Sequence, residues 1–278
     1  MKLLSLLFPL TLSVPFAGLA SGCSLDSEGI VPPAPDASTA DVVILPEAAG
    51  PPTNWCATTG AGHDFCADFD ASLKGTEPGA WCNGVVTGTC GAIENGGMLT
   101  LDTAASTSAP ASANAKTVTG GGSAQAFLTR EFPGDLHPLS LAFDVRIDAM
   151  GTGKTTLASI TLEIVGGNSH RVVLLADPSA GDGGTGVALS IVEVPLAGAP
   201  RTTPNSLTLP LNKFVRVELR VGIAPNNVTV LINGVASNVV TIDAPGTAMG
   251  HAVLLGLGST PAAAWQLHLD DVTFDYTK

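Results

Sequence analysis

The side chains with chemical reach are few and spread along the chain. Five histidines, His63, His137, His170, His251 and His268, are dispersed, and no pair has the helical spacing of a metal-binding motif. Neither a Gly-x-Ser-x-Gly elbow nor a His-Glu-x-x-His stretch is present. Gly151-Thr152-Gly153-Lys154-Thr155 has the outline of a phosphate loop. The first glycine of that motif falls at Asp148, however, and the residues that follow alternate as a strand instead of opening a helix. A turn between two strands is the better reading. Arg216, Glu218 and Arg220 alternate on one face of an apolar strand, where they can pair across strands or meet a ligand.

Composition narrows the classes of partner. The chain has 278 residues, 45% of them hydrophobic, enough for a sizeable core. Charged residues make up only 13%, about half the usual share. The net charge of −12, from 12 basic and 24 acidic residues, argues against nucleic acid, whose phosphates need a basic surface. The 32 glycines and 20 prolines are scattered, which suits many turns and few helices.

The amino-terminal stretch reads as an export signal. Lys2 precedes an apolar run that contains prolines and ends in small residues, too interrupted for a spanning helix. Its end, Leu19-Ala20-Ser21-Gly22-Cys23, resembles the lipobox of bacterial lipoproteins. The resemblance implies a signal peptide over 1–22 and a lipidated Cys23 that anchors an exported protein in the cell envelope, at the outer membrane or cell surface, with the membrane as a partner. Residues 23–53, rich in Pro, Ala, Ser and acidic groups, read as a disordered tether, and 54–278 as the domain. Cys56, Cys66, Cys82 and Cys90 open that domain. In an oxidising space they suggest disulfides, with three pairings open and the local ones, Cys56–Cys66 and Cys82–Cys90, favoured by short loops. A zinc site fails on spacing.

The elements that must position any site read as strands. Leu139–Asp148 alternates strictly, with Leu139, Leu141, Phe143, Val145 and Ile147 on one face. Phe214–Val221 does the same. Asn95-Gly96-Gly97 and Asn233-Gly234 read as hairpin turns, the second between Val228–Ile232 and Val239–Ile242. In Trp265–Tyr276 the apolar parity switches across Asp270-Asp271, as a bulge would produce. Ala104–Ala115 reads as a loop or exposed edge. No stretch holds helical spacing over three turns. The fold class is therefore all-β, an antiparallel sandwich of two sheets.

With these residues assembled, the chain resembles the concanavalin A-like lectin/glucanase jelly rolls, including laminin-G-like domains. The resemblance rests on FCADFD at 65–70, IENGGMLTLDT at 93–103, LSLAFDVRID at 139–148, KFVRVELRV at 213–221 with VTVLINGV at 228–235, and LHLDDVTFD at 267–275. It implies a structural calcium held by Asp68, the carbonyl of Gly97 and Asp270, the oxygen donors that calcium takes. Glu163-Ile164-Val165 resembles the start of the laminarinase catalytic motif, but Val165 replaces its Asp, and Gly167 and Asn168 stand where the second Glu belongs. The two carboxylates of a retaining hydrolase are thus not supplied there. Arg216-Val217-Glu218-Leu219-Arg220 and Gln266-Leu267-His268 resemble two of three motifs of the jelly-roll alginate lyases. In that family the Arg and Gln neutralise a uronate carboxylate, while the His and a Tyr handle the proton. The tyrosine motif is missing, and Tyr276 lacks its context.

These readings lead to a lipid-anchored envelope protein whose sandwich binds a glycan without catalysis. The partners expected beyond the membrane are polysaccharide or envelope protein; the alternatives are a structural or adhesive envelope protein with no small ligand, using its sheet faces for protein contacts, and a degenerate lyase or hydrolase. A sugar site wants an aromatic platform and polar groups to read hydroxyls. The expected ligand residues are Trp81, in a loop, with Arg216, Arg220, Gln266 and His268, while Trp265 reads as core.

Overall fold

The computed structural model describes residues 54–70, 73, 81, 93–120, 122–134, 138–164, 168–178, 186–223, 225–243, 248–259 and 263–276. The signal segment 1–22, Cys23, the tether 23–53, and Cys82 and Cys90 with their pairing lie outside these residues.

The first strands are β1 (Phe65–Ala67), β2 (Ile93–Glu94), β3 (Met98–Asp102), β4 (Ser112–Lys116), β5 (Ala124–Pro133), β6 (Leu139–Ala149), β7 (Thr155–Ile164) and β8 (Asn168–Asp177). They are followed by β9 (Gly186–Val194), β10 (Arg201–Pro210), β11 (Val215–Ile223), β12 (Asn226–Ile232), β13 (Val235–Ala236), β14 (Val240–Thr241), β15 (Ala248–Ser259) and β16 (Gln266–Asp275). No α-helix occurs among the described residues. One sheet has nine strands in the order β13-β12-β11-β6-β16-β4-β3, with β1 also paired to β16 and β14 to β12. The other has seven, β10-β9-β8-β7-β15-β5-β2. All ladders between named strands are antiparallel. The fold is the expected two-sheet antiparallel jelly roll.

Period-two burial builds it. Leu139, Leu141, Phe143, Val145 and Ile147 of β6 all face the core, opposite Val215, Val217, Leu219 and Val221 of β11. Each such side chain contributes about 1.5–3 kcal/mol by leaving water. The parity switch in β16 is a bulge: its register against β6 shifts between Asp270 and Thr273, and Asp271 takes φ 48°. Leu267 and Leu269 before it, and Val272 and Phe274 after it, therefore all reach the core.

Two turns behave differently from their reading. Asn95-Gly96-Gly97 does not close a hairpin: β2 joins β5 in the seven-stranded sheet and β3 joins β4 in the nine-stranded sheet. The turn steps from one sheet to the other, with Asn95 and Gly96 at φ 50° and 84°. Asn233-Gly234 does close a hairpin, at φ 49° and 80° as a type I′ turn requires. Its return strand is split into β13 and β14, and only Val240–Thr241 of the expected second strand is paired. The Cys56–Cys66 disulfide is formed, with S–S 2.08 Å.

Candidate functional site

Because Leu267 and Leu269 point inward, His268 points outward on the nine-stranded sheet, beside Asn114 of β4 and Arg146 of β6. It is nevertheless only 3% exposed. Nε2 lies 2.9 Å from Asp102 and 2.7 Å from the Asn114 amide, and Nδ1 lies 2.5 Å from Asp148. The His268 hydrogen bond, helped by the Ala104 amide, pulls Asp102 down to about 2. Both ring nitrogens are thus turned to carboxylates, and the ring is shut away from solvent. Gln266 is the next outward residue on β16 and stands half-buried beside Lys116.

The two arginines of that face are also engaged. Arg216 donates to Asp144 (3.3 Å), Thr273 Oγ1 (3.2 Å) and the carbonyl of Asp271. Trp55 covers its guanidinium, 5.3 Å from ring centre to Cζ. Arg220 forms a two-pronged pair with Glu218 at 2.5 and 2.9 Å, and Ser140 donates to the same carboxylate at 2.7 Å. Burial alone would raise Glu218, but the Arg220 and Ser140 hydrogen bonds hold it below the usual range. Arg220 also borders a largely apolar hollow of about 400 Å³, lined by Leu139 and Val221 together with Ser140, Asn227, Thr229 and Asp275. Arg216, Arg220, Gln266 and His268 share one face, as their parity implies, but they do not converge on a common point. Arg216, Arg220 and His268 are each paired with a neighbouring carboxylate.

Trp81 requires a correction as well. It is 1% exposed and meets Phe65 edge-on at 5.2 Å, so it is a core residue and not a sugar platform. The aromatic cluster of Phe65, Phe132, Phe274 and Tyr276 gives a ring of its size a place to bury. Trp265 is core, as expected.

Two of the residues implied for calcium, Asp68 and Asp270, are met by backbone amides. Asp270 accepts the amides of Thr107 (2.8 Å), Ser108 (3.1 Å) and Asp271 (3.0 Å), and it pins the 104–111 segment to β16. Asp68 faces the Cys56 amide at 3.3 Å. Among the described residues no three His, Cys, Asp or Glu groups are placed to hold a metal. Burial, then the neighbouring Asp271, pushes Asp270 up to about 8, and burial pushes Asp271 to about 7 against its Ser108 hydrogen bond. These are buried acids on backbone amides and a hydroxyl.

The outer face of the seven-stranded sheet is of another kind. It holds a groove of about 560 Å³, within the usual range for ligand sites. Phe127, Val173, Leu175, Val192 and Leu254 give it an apolar floor, and Gln125, Thr156 and Ser159 supply polar groups. Arg171 is the charged residue among those that line it. Gly258 lets the Phe127 ring lie flat against β15, since a Cβ there would stand 2.2 Å from the ring. Reading by motif missed this groove. The available signal was that β8 and β9 are apolar on both parities: Val172 and Leu174 face inward, while Val173 and Leu175 face outward. A strand apolar on both faces is covered on both, or lies in a cleft.

No family model matches the sequence, and no curated protein does. Solved structures do match. An endo-β-1,4-glucuronan lyase from the fungus Trichoderma reesei aligns at TM-score 0.55 and 12% identity, over 77% of this chain and 96% of that one. The cellulose-induced protein Cip1 aligns at TM-score 0.50 and 18% identity, over 76% and 97%. An alginate lyase, at TM-score 0.44 and 12% identity over 60% and 80%, is too distant to weigh. The expectation of a non-catalytic domain is overturned by the first of these: the jelly roll the chain shares is one that carries a polysaccharide lyase. That expectation rested on missing motifs, and missing motifs exclude only the residue sets that define them. At such identity the likeness shows the fold and assigns no residue.

Proposed function

We propose that the chain engages an acidic polysaccharide in the groove of the seven-stranded sheet and cleaves it as a lyase. The observation that carries this reading is the groove itself, an open apolar floor with hydroxyl and amide groups beside it and Arg171 at its side. The floor suits the face of a pyranose ring, the polar groups suit its hydroxyls, and the guanidinium suits a uronate carboxylate held by two parallel hydrogen bonds. The activity of the glucuronan lyase supports the same substrate class. The protein works at the cell envelope, anchored through acylated Cys23 and the 23–53 tether.

Titration calorimetry with polyglucuronate, alginate and a neutral β-glucan tests the groove. Polyglucuronate binding that is weakened at least tenfold by Arg171→Ala, with little binding of the neutral glucan, is the expected result. Equal binding by both proteins would end this reading. Mass spectrometry of the mature amino end tests the anchor: an acylated Cys23 is expected, and an uncut Met1 contradicts it.

A further inference from the structure

Cleavage by elimination needs a group that moves a proton as well as one that holds a carboxylate. Arg171 on β8 stands opposite Thr161 on β7, and Glu163 on β7 stands opposite Ser169. Arg171 and Glu163 are therefore diagonal neighbours on one face, about 7–8 Å apart and within reach of long side chains. Both are exposed. Neither takes part in an ion pair or side-chain hydrogen bond among the described residues, in a protein whose other charges are mostly tied. On the same sheet Glu193 holds Arg201 at 2.9 Å, and Asp177 holds Lys154 at 2.8 Å.

The Glu163 carboxylate leans away from Arg171, across β15. Its Oε2 lies 3.4 Å from where a Cβ would stand on Gly250. The absence of a side chain at Gly250, and the small one at Ala252, leave the Glu163 side chain room to lie over β15. The guanidinium lines the groove and the carboxylate stands diagonal to it, within reach yet not paired with it.

We infer that Glu163 is the acid–base residue of a β-elimination on a uronate held by Arg171, an inference that rests on the groove reading. Arg171 pairs with the substrate carboxylate and so acidifies the proton on the adjacent C5. The Glu163 carboxylate takes that proton. The electrons of the C5–H bond form the C4=C5 double bond, and the bond from C4 to the glycosidic oxygen breaks. The proton then passes from Glu163 to the departing oxygen, which becomes the hydroxyl of a new reducing end. Glu163 ends as the carboxylate it began as, and neither water nor an oxidant is consumed.

The test follows the ultraviolet absorbance of the unsaturated uronate released from polyglucuronate. Wild type cleaves. Glu163→Gln loses kcat by about 10²–10⁴-fold, the usual worth of general acid–base catalysis, with binding by calorimetry unchanged. Glu163→Asp keeps part of the rate, and the acidic limb of the pH profile disappears in the Gln variant. The thermal midpoint of each variant matches wild type, because the side chain is exposed. Wild-type cleavage by Glu163→Gln overturns the inference and leaves the groove reading standing; a wild type that binds polyglucuronate but releases no unsaturated product overturns the inference and the lyase part of that reading, leaving only binding. Failure of wild type to bind polyglucuronate removes both.

Discussion

The two sheets of this sandwich differ in how some of their charges are held. On the nine-stranded sheet His268 is paired with Asp102 and Asp148, Arg216 with Asp144, and Arg220 with Glu218, and Trp55 lies over Arg216. On the seven-stranded sheet Asp177 holds Lys154 and Glu193 holds Arg201, whereas Arg171, which lines a groove, and Glu163, diagonal to it, have no ion pair or side-chain hydrogen bond among the described residues. In a chain with 13% charged residues, the difference separates two uses of charge. A paired and buried charge fixes strands, and its removal is felt as lost stability. An unpaired charge at a cleft contributes little to folding and remains available to a ligand.

Four measurements bear on that contrast, beginning with the largest expected effect. His268→Ala should destabilise the domain by about 2–4 kcal/mol in denaturant unfolding, because it opens a cavity and strips partners from two carboxylates. Polyglucuronate binding should survive it. A loss under about 0.5 kcal/mol, the range of ordinary surface changes, would mean that the network does not hold the sheet.

The next effect depends on pH. Asp270 and Asp271 are raised above the carboxylate range, to about 8 and about 7, so the folded state favours their protonated forms. Their contribution is fully present below the unfolded value near 3.8 and is lost as pH rises through 7 and 8. The thermal midpoint should therefore fall between about pH 5 and about pH 9. The Asp270→Asn/Asp271→Asn double variant should flatten that slope. A midpoint that climbs over this range contradicts the burial argument.

Arg216→Met should remove about 1.5–3 kcal/mol, the worth of hydrogen bonds to charged groups, as read by chemical unfolding, and should leave glycan binding intact. Arg171→Ala should shift stability by no more than about 0.5 kcal/mol while abolishing most of the binding. If the stability effects of these two arginines were reversed, the division between the faces would fail.

Much of the fold was legible because burial alternates with period two. Leu139–Ile147 and Val215–Val221 revealed their inner faces directly, and the parity switch at Asp270-Asp271 located the bulge. What was not legible depended on tertiary context. Ser112–Lys116 has small residues with little strand preference, yet Ala113 and Ala115 are buried beside Leu269 and Leu267. Arg201–Pro210 carries Pro204 inside a strand, which is possible because β10 is at the edge of its sheet, with a register shift beyond that proline. Trp81 was misread because a single loop tryptophan gives no sign of the aromatic cluster that buries it.

The site was less legible than the fold. Motif spacing led to Arg216, Arg220, Gln266 and His268; the first two and His268 are taken up by neighbours that no local pattern announces. Arg171 and Glu163 lie on adjacent strands, but only the β7–β8 register places them side by side. Register belongs to the sheet and not to either strand alone.

The strand that opens the domain lies against the one that closes it, Phe65 opposite Phe274, with the Asp64 carboxylate accepting the Tyr276 amide at 2.8 Å. Both ends of the described domain thus emerge at one corner. A short bridge across that corner, with a new break at the Asn233-Gly234 bend, would give a circularly permuted chain in which every ladder of the seven-stranded sheet is uncut.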